Sequence, residues 1–360
     1  MSPLRRLAIL LASPKTPALL LTTLLFAASL ALARQMSPPG LTRAGVGPEQ
    51  DAKAPARLLP YDKTNPVLYD NDFANDYSDW YLMVAASAGD FRYRGLSTSS
   101  SVAPFNRTLP EDYFLERCVR ERTHIVRIGR RCGLRDIPDP VAGPLGYLVK
   151  PESGKVEETR PLGSPGSRAL LTEARKATAE RPLVVVMGGP LTVAADAYLL
   201  DPSIAEKVVV AWTGGRYDSM DDYNGWCDPW AAYFTIQELR LVQFPIDPAF
   251  YPRMTRDWIR ANLPDNEARK YMLALELDVG NGDDGDGDGM PAVSVLRPDY
   301  VEGVRRVSFA GWKAGDGHQV PTLKADPSGR AIQVTKASRT IATEEYRRAF
   351  TDPAAWGKGR

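Results

Sequence analysis

PLVVVMGGPLTVAADAYLLDPSIAEKVVVAWTGG, residues 182–215, carries the clearest structural pattern in this chain of 360 residues. Leu183 to Met187 is a short apolar run dominated by Val and closed by the turn Gly188-Gly189-Pro190. Leu191 to Leu199 reads as a helix, and Lys207 to Trp212 as a second apolar run that stops at Thr213-Gly214-Gly215. Val-rich runs without polar alternation, each followed by a helix, predict a parallel sheet buried on both faces. In open sheets of this kind ligands bind in the crevice beyond the carboxyl ends of the strands. The turns at Gly188 and Gly214 both fall at such ends.

The alternation continues on either side. Upstream, the pattern predicts a strand from Pro66 to Tyr69, a helix starting at Trp80 to Ala88, a strand from Phe91 to Thr98 and a helix from Glu111 to Arg131. A stop signal follows at Gly133 to Pro138, then a loop rich in Pro and Gly from Asp139 to Pro165 and a helix from Ser167 to Lys176. Downstream come a helix from Asp228 to Leu239 and a strand from Leu241 to Pro245. The last quarter reads as a helix from Asp265 to Val279, the loop GNGDDGDGDG at 280–289, three strands of a meander (305–313, 318–325 and 331–336) and a closing helix from Thr343. The expected class is α/β: a mostly parallel central sheet with helices on both faces, plus a small β-rich C-terminal part.

The first strand leads into the stretch LYDNDFANDYSD at 68–79, which places Asp70, Asp72, Asp76 and Asp79 on one strand-to-helix loop. Concentrated acid at such a site points to a hard cation or to acid-base chemistry. The competing reading is that Asp and Asn make turns here and that Ser78 caps the next helix. A second acidic stretch, Asp284-x-Asp286-x-Asp288-Gly289, fits only the first half of a calcium loop, because Val295 stands at its twelfth position.

Hydrophobic residues make up 44% of the chain and charged residues 25%, which indicates a globular protein rather than a disordered one. Residues 1–33 carry Arg5, Arg6 and Lys15 and then an uncharged stretch from Thr16 to Ala33, the plan of a secretory signal. An uncleaved membrane anchor is the alternative, and the Arg5-Arg6 pair permits twin-arginine export. Residues 34–60 read as a flexible linker, with the folded domain at 61–350. Loss of the leader changes the formal charge from +1 to about −2, and there is no basic stripe with interleaved aromatics, which argues against nucleic acid as a partner. The three cysteines have no metal-cluster spacing; after export Cys118 could pair with Cys132, leaving Cys227 free.

Four motifs in order, DNDFANDYSD at 70–79, GLRDIP at 133–138 with the following Gly143, the segment at 182–215, and DYNGWCDPWAA at 222–232, resemble the inosine-uridine preferring nucleoside hydrolase family. The similarity runs from about Pro66 to Val295. It implies hydrolysis of the N-glycosidic bond of a nucleoside or related riboside with Ca2+ as cofactor. It further implies Asp72 and Asp79 as calcium ligands, Asp72 also as the base that takes a proton from water, and a backbone carbonyl from Gly188 as a third ligand. Asp222 and Asn224 fall where the family holds the sugar hydroxyls, and Ser78 where it has another sugar-binding Asp. Asp288, shifted by one position, is the expected last metal ligand. The implied partner is a small-molecule nucleoside or riboside. A membrane is involved only if the leader is retained, and a homo-oligomer stays open.

The departures from the pattern matter. Ser78 removes a charge, so Ser78→Asp is expected to leave ribonucleoside use equal or better. Val102 stands where an active-site Asn is usual, with Asn106 nearby, and neither His124 nor His318 matches a family histidine. These changes leave two further readings: a secreted binding protein that has lost turnover, and a hydrolase of a different glycoside.

Overall fold

The computed structural model describes residues 58–72, 76–100, 111–274, 285–314 and 319–357, with the backbone alone at 111–114. The expected leader at 1–33, most of the linker, Val102, Asn106, Asp284 and His318 lie outside the described residues.

Among the described residues nine strands form one sheet. They are β1 (Pro66–Asn71), β2 (Arg92–Thr98), β3 (Pro140–Ala142), β4 (Leu183–Met187), β5 (Val208–Thr213), β6 (Arg240–Phe244), β7 (Val301–Ala314), β8 (Gln319–Ala325) and β9 (Ala331–Ala337), arranged β3-β2-β1-β4-β5-β6-β9-β7-β8. All pairs from β3 across to β9 are parallel, and β7 is antiparallel to both β8 and β9.

Side chains on a strand alternate between faces, and the central strands divide two cores accordingly. Val184 and Val186 of β4 and Val209 and Ala211 of β5 enter one core; Leu183, Val185, Met187, Val208, Val210 and Trp212 enter the other. The first core is covered by α1 (Tyr77–Ala88), α2 (Glu111–Arg131), α9 (Gly289–Leu296) and α10 (Arg339–Thr351). The second is covered by α3 (Pro165–Ala174), α4 (Thr192–Leu200) and α6 (Pro229–Glu238). The short helices α7 (Arg256–Asn262) and α8 (Glu267–Ala274) add Ile259, Ala268 and Met272 to the first core, and the short helix α5 (Tyr223–Cys227) precedes α6. Local chemistry sets the ends. Ser164 Oγ accepts the Ser167 N–H ahead of Pro165 at the start of α3. Gly89, in the left-handed conformation with φ 85°, closes α1.

The fold departs from the sequence expectations in four places. The C-terminal strands are not a meander: β7 lies between β8 and β9, and β9 joins the main sheet beside β6. A buried pair ties these two strands, where Gln333 Nε2 of β9 donates to Gln243 Oε1 of β6 at 2.7 Å and gives that buried oxygen its donor. The Pro- and Gly-rich loop contributes an edge strand, β3, paired with β2. Ser78 does not cap α1; Asp76 is at the N-cap and makes no side-chain capping bond, while Ser78 is fully buried as the second residue of the helix. Finally, Cys118 and Cys132 are both free. They sit fourteen residues apart along one helix and its exit, roughly 20 Å at 1.5 Å per residue, too far for a disulfide. Cys132 Sγ instead accepts the Ala268 N–H at 3.4 Å. Among the described residues, no helix is long and apolar enough to cross a membrane.

Candidate active site

The end of β1 projects a ladder of polar groups into the crevice. Asp70 is fully buried and held by hydroxyls from the end of β2, Ser97 Oγ at 2.5 Å and Ser99 Oγ at 2.6 Å. Asn71 is the hub: its Nδ2 donates to Tyr69 Oη at 2.7 Å, Asp76 Oδ2 at 3.2 Å and Asp288 Oδ2 at 3.2 Å. Its Oδ1 accepts the Asp72 N–H at 2.8 Å. Asp72 is buried, and its Oδ2 has no hydrogen-bond partner among the described residues.

The turn after β4 closes against this ladder. A Cβ on Gly188 would lie 2.7 Å from Asp288 Cγ and 2.8 Å from Asn71 Oδ1, and one on Gly189 would lie 3.2 Å from Asp72 Cγ. Glycine is required at 188 because no side chain fits between those groups. The Gly188 N–H donates to Asp70 O at 3.0 Å. Asn224 Nδ2 donates to Gly188 O at 2.6 Å and to Thr213 O at 3.0 Å, tying the turns after β4 and β5. Thr213 Oγ1 donates to Gly287 O at 3.0 Å, which brings in the C-terminal acidic loop. The three loops therefore meet at one end of the sheet, and Asp72, Gly188 and Asp288 are packed together there.

The remaining expected residues hold other positions. Asp79 forms an ion pair with Arg122, Oδ1 to Nε 3.1 Å, with both side chains buried, and its Oδ2 has no hydrogen-bond partner among the described residues. Ser78 Oγ is bonded to Tyr69 Oη at 3.0 Å, so its hydroxyl is committed to the wall of the site. Asp222 caps α5 by accepting the Gly225 N–H at 2.9 Å. His124 packs edge-on against Tyr271, with ring centroids 5.6 Å apart.

Four residues that the motif reading did not assign complete the arrangement: Asn71, Asp76, Arg122 and Asp286. Asp286 accepts Tyr346 Oη at 2.6 Å and the Gly289 N–H at 3.1 Å. Arg122 Nη1 donates to Asn71 O at 2.8 Å, Ser97 O at 3.0 Å and Thr98 Oγ1 at 3.0 Å. Arg122 did leave a signal in the sequence, because it stands on the same helical stripe as Cys118 and Ile125, where a charge among apolar positions marks a buried ion pair.

Asp70, Asp72, Asp76 and Asp79 thus lie within electrostatic reach of the Arg122 guanidinium, and Asp286 and Asp288 stand beside Asp76. Burial is the main force on each acid, and the charges of neighbouring acids add to it for most of them. Asp72 is pushed up to about 8 by burial and by Asp76, Asp79 to about 7, Asp286 to about 7 and Asp76 to about 6. Asp288 is held well above the usual carboxylate range, first by burial and then by Asp76, Asp286 and Asp72. Asp70 is raised by burial against the opposing pull of Ser97 and Ser99. Asp222 rises to about 6 for the same first reason. Acids in this state lack countercharge.

That deficit, and the orphaned oxygens of Asp72 and Asp79, fit a hard divalent cation held by oxygen donors. Asp72, Asp79, Asp288 and the Gly188 carbonyl would be its donors. Among the described residues no three His, Cys, Asp or Glu side chains are already drawn around a common point, so binding requires the carboxylates to close inward.

Comparison with known proteins bears on this arrangement. The family model described as "Inosine-uridine preferring nucleoside hydrolase" matches residues 67–310. An inosine-guanosine nucleoside hydrolase structure is similar at 14% identity and TM-score 0.58, covering 79% of this chain and 98% of that one. A plant nucleoside hydrolase shows 18% identity and TM-score 0.54, covering 80% and 99%. An inosine-uridine preferring nucleoside hydrolase from Bacillus anthracis shows 14% identity and TM-score 0.55, also covering 80% and 99%. No curated protein sequence matches the chain.

Proposed function

Because this chain belongs to the inosine-uridine preferring nucleoside hydrolase family, and is a glycosyl hydrolase, we propose that it cleaves the N-glycosidic bond of nucleosides or related ribosides with calcium, releasing base and sugar. The observation that carries this reading is the buried Asp72 Oδ2, left without a hydrogen-bond partner among the described residues, beside a Gly188 position where no side chain fits. A buried acceptor without a donor costs about 1–3 kcal/mol, or more when charged, and is kept where a ligand completes it.

A bound cation would supply the charge that activates a water and grips the sugar diol. The chain's own residues do the rest. Asp72 is the base: its carboxylate takes the proton of the attacking water at Oδ2, and burial already holds its affinity for protons near the working range. Attack on an N-glycoside passes through an oxocarbenium-like sugar, which the surrounding carboxylates favour by charge. Asn224 spends its amide hydrogens on Gly188 O and Thr213 O, which leaves its Oδ1 to accept a sugar hydroxyl. Asp222 stands beside it for the same task. Ser78 acts by fixing Tyr69 and, through it, Asn71.

One observation favours the binding-protein reading: Arg122 already occupies one oxygen of Asp79 and supplies part of the positive charge a cation would bring. The test is a screen of purine and pyrimidine ribonucleosides for free base, with calcium and with chelator. Release that needs calcium supports the hydrolase. Ligand-induced stabilisation without product supports the binding protein, and product from other glycosides alone supports a changed substrate. The leader at 1–33 supports a secreted or periplasmic location, or membrane anchoring if it is not cleaved.

A further inference from the structure

A second charged cavity lies at the opposite edge of the sheet. It encloses about 240 Å3 and is lined by Pro66, Arg92, Arg94, Glu173, Lys176, Ala177, Thr178 and Arg181. Pro66 and Arg92 are the first residues of β1 and β2, and Arg181 precedes β4. The cavity is therefore at the amino ends of the strands whose carboxyl ends carry the acids. With β1 six residues long, the two sites are separated by roughly 20 Å at 3.3 Å per residue.

Four cations and one carboxylate face this space. The Glu173 charge is taken by Lys176. Arg181 Nη2 donates to Thr64 O at 2.8 Å, which anchors its guanidinium at the rim. Arg92 and Arg94 are exposed, two positions apart and so on one side of β2, and neither has a hydrogen bond or ion pair among the described residues. Gly95 follows directly, and a Cβ there would lie 2.8 Å from Leu68 Cδ1, so the backbone after Arg94 is packed closely on β1. Two forked guanidiniums suit a phosphate monoester, whose three terminal oxygens can accept from both forks, where the two oxygens of a carboxylate match one. The volume is below the roughly 300–1,000 Å3 of pockets for drug-sized ligands, which excludes a dinucleotide and suits a single phosphate on a small carbon skeleton.

We propose that this cavity is a binding site for a small phosphate monoester, with Arg92 and Arg94 as its principal donors and Lys176 and Arg181 as its walls. The site is independent of hydrolysis at the acidic end. Its test is calorimetric titration of the purified protein with inorganic phosphate and with ribose 5-phosphate, beside the double variant R92S/R94S. Vesicles of phosphatidylcholine with phosphatidylglycerol serve as a separate arm, because a lipid headgroup offers the same chemistry. The expected result is binding of ribose 5-phosphate that weakens as salt is added, falls by about tenfold or more in R92S/R94S, and leaves nucleoside cleavage unchanged. Circular dichroism of the variant confirms that it folds, and K176Q in the intact arginine background gives a second, milder loss. No binding of either soluble phosphate, binding that the double variant leaves intact, or association with vesicles alone would each overturn the proposal.

Discussion

Arg122 Nε and Asp79 Oδ1 lie 3.1 Å apart in a wholly buried ion pair, and the same guanidinium reaches Asn71 O and Ser97 O. One side chain of α2 thereby joins the ends of β1 and β2 to the first turn of α1. Arg122→Met leaves the buried Asp79 without its cation and should cost about 3–5 kcal/mol, the usual penalty for breaking a buried pair from one side. Arg122→Lys, which keeps the charge and loses the fork, should cost less. Urea unfolding of both variants checks this; equal stability of Arg122→Met and the parent would contradict it.

Gly188→Ala should leave the fold largely intact and lower calcium affinity. Its new Cβ would stand 2.7 Å from Asp288 Cγ and 2.8 Å from Asn71 Oδ1, so those two groups must move. Calcium titration by calorimetry is the measurement, and unchanged affinity would show that the Gly188 turn is remote from the cation.

The acids set a pH dependence with a definite sign. Folded-state values of about 8 for Asp72, about 7 for Asp79 and Asp286, and about 6 for Asp76 all exceed the unfolded value of 3.8. Groups raised in this way stabilise the fold while protonated. That contribution is complete below the unfolded value and is lost as pH rises through the folded ones. In chelator the melting temperature should therefore fall between about pH 5 and about pH 8. Calcium should restore it, more strongly at the higher pH, because ligands bind deprotonated. A flat profile in chelator, or greater rescue in acid, would count against the cluster as described.

Much of this was legible in the sequence. The Val runs of β4 and β5 carry the sheet, because only strands buried on both faces tolerate such runs. Gly188 and the acids at 72, 79 and 288 are singled out by the family motifs, since Gly and Asp by themselves suit turns and caps equally well. What stayed hidden depends on distant partners. Nothing local to Asn71 reveals that its amide joins Tyr69, Asp76 and Asp288, nor does the strand pattern at 331–337 reveal that Gln333 must find Gln243. The cysteine pairing failed for a related reason: spacing in sequence became distance along a helix.

Ser78→Asp puts the expectation drawn from the family pattern to a direct test. The family pattern favours Asp there, yet Ser78 is fully buried and bonded to Tyr69, with Asp286 nearby. A seventh acid at that place should lower thermal stability and not improve nucleoside use. Melting curves with parallel assays of base release decide it, and a stable, more active variant would restore the simpler reading.

The decisive experiment is the release of free base from ribonucleosides by the parent protein and by Asp72→Asn, each with calcium and with chelator. Calcium-dependent release by the parent, and its loss in a folded Asp72→Asn, is the expected result. Normal turnover by Asp72→Asn would contradict the assignment of Asp72 as the base.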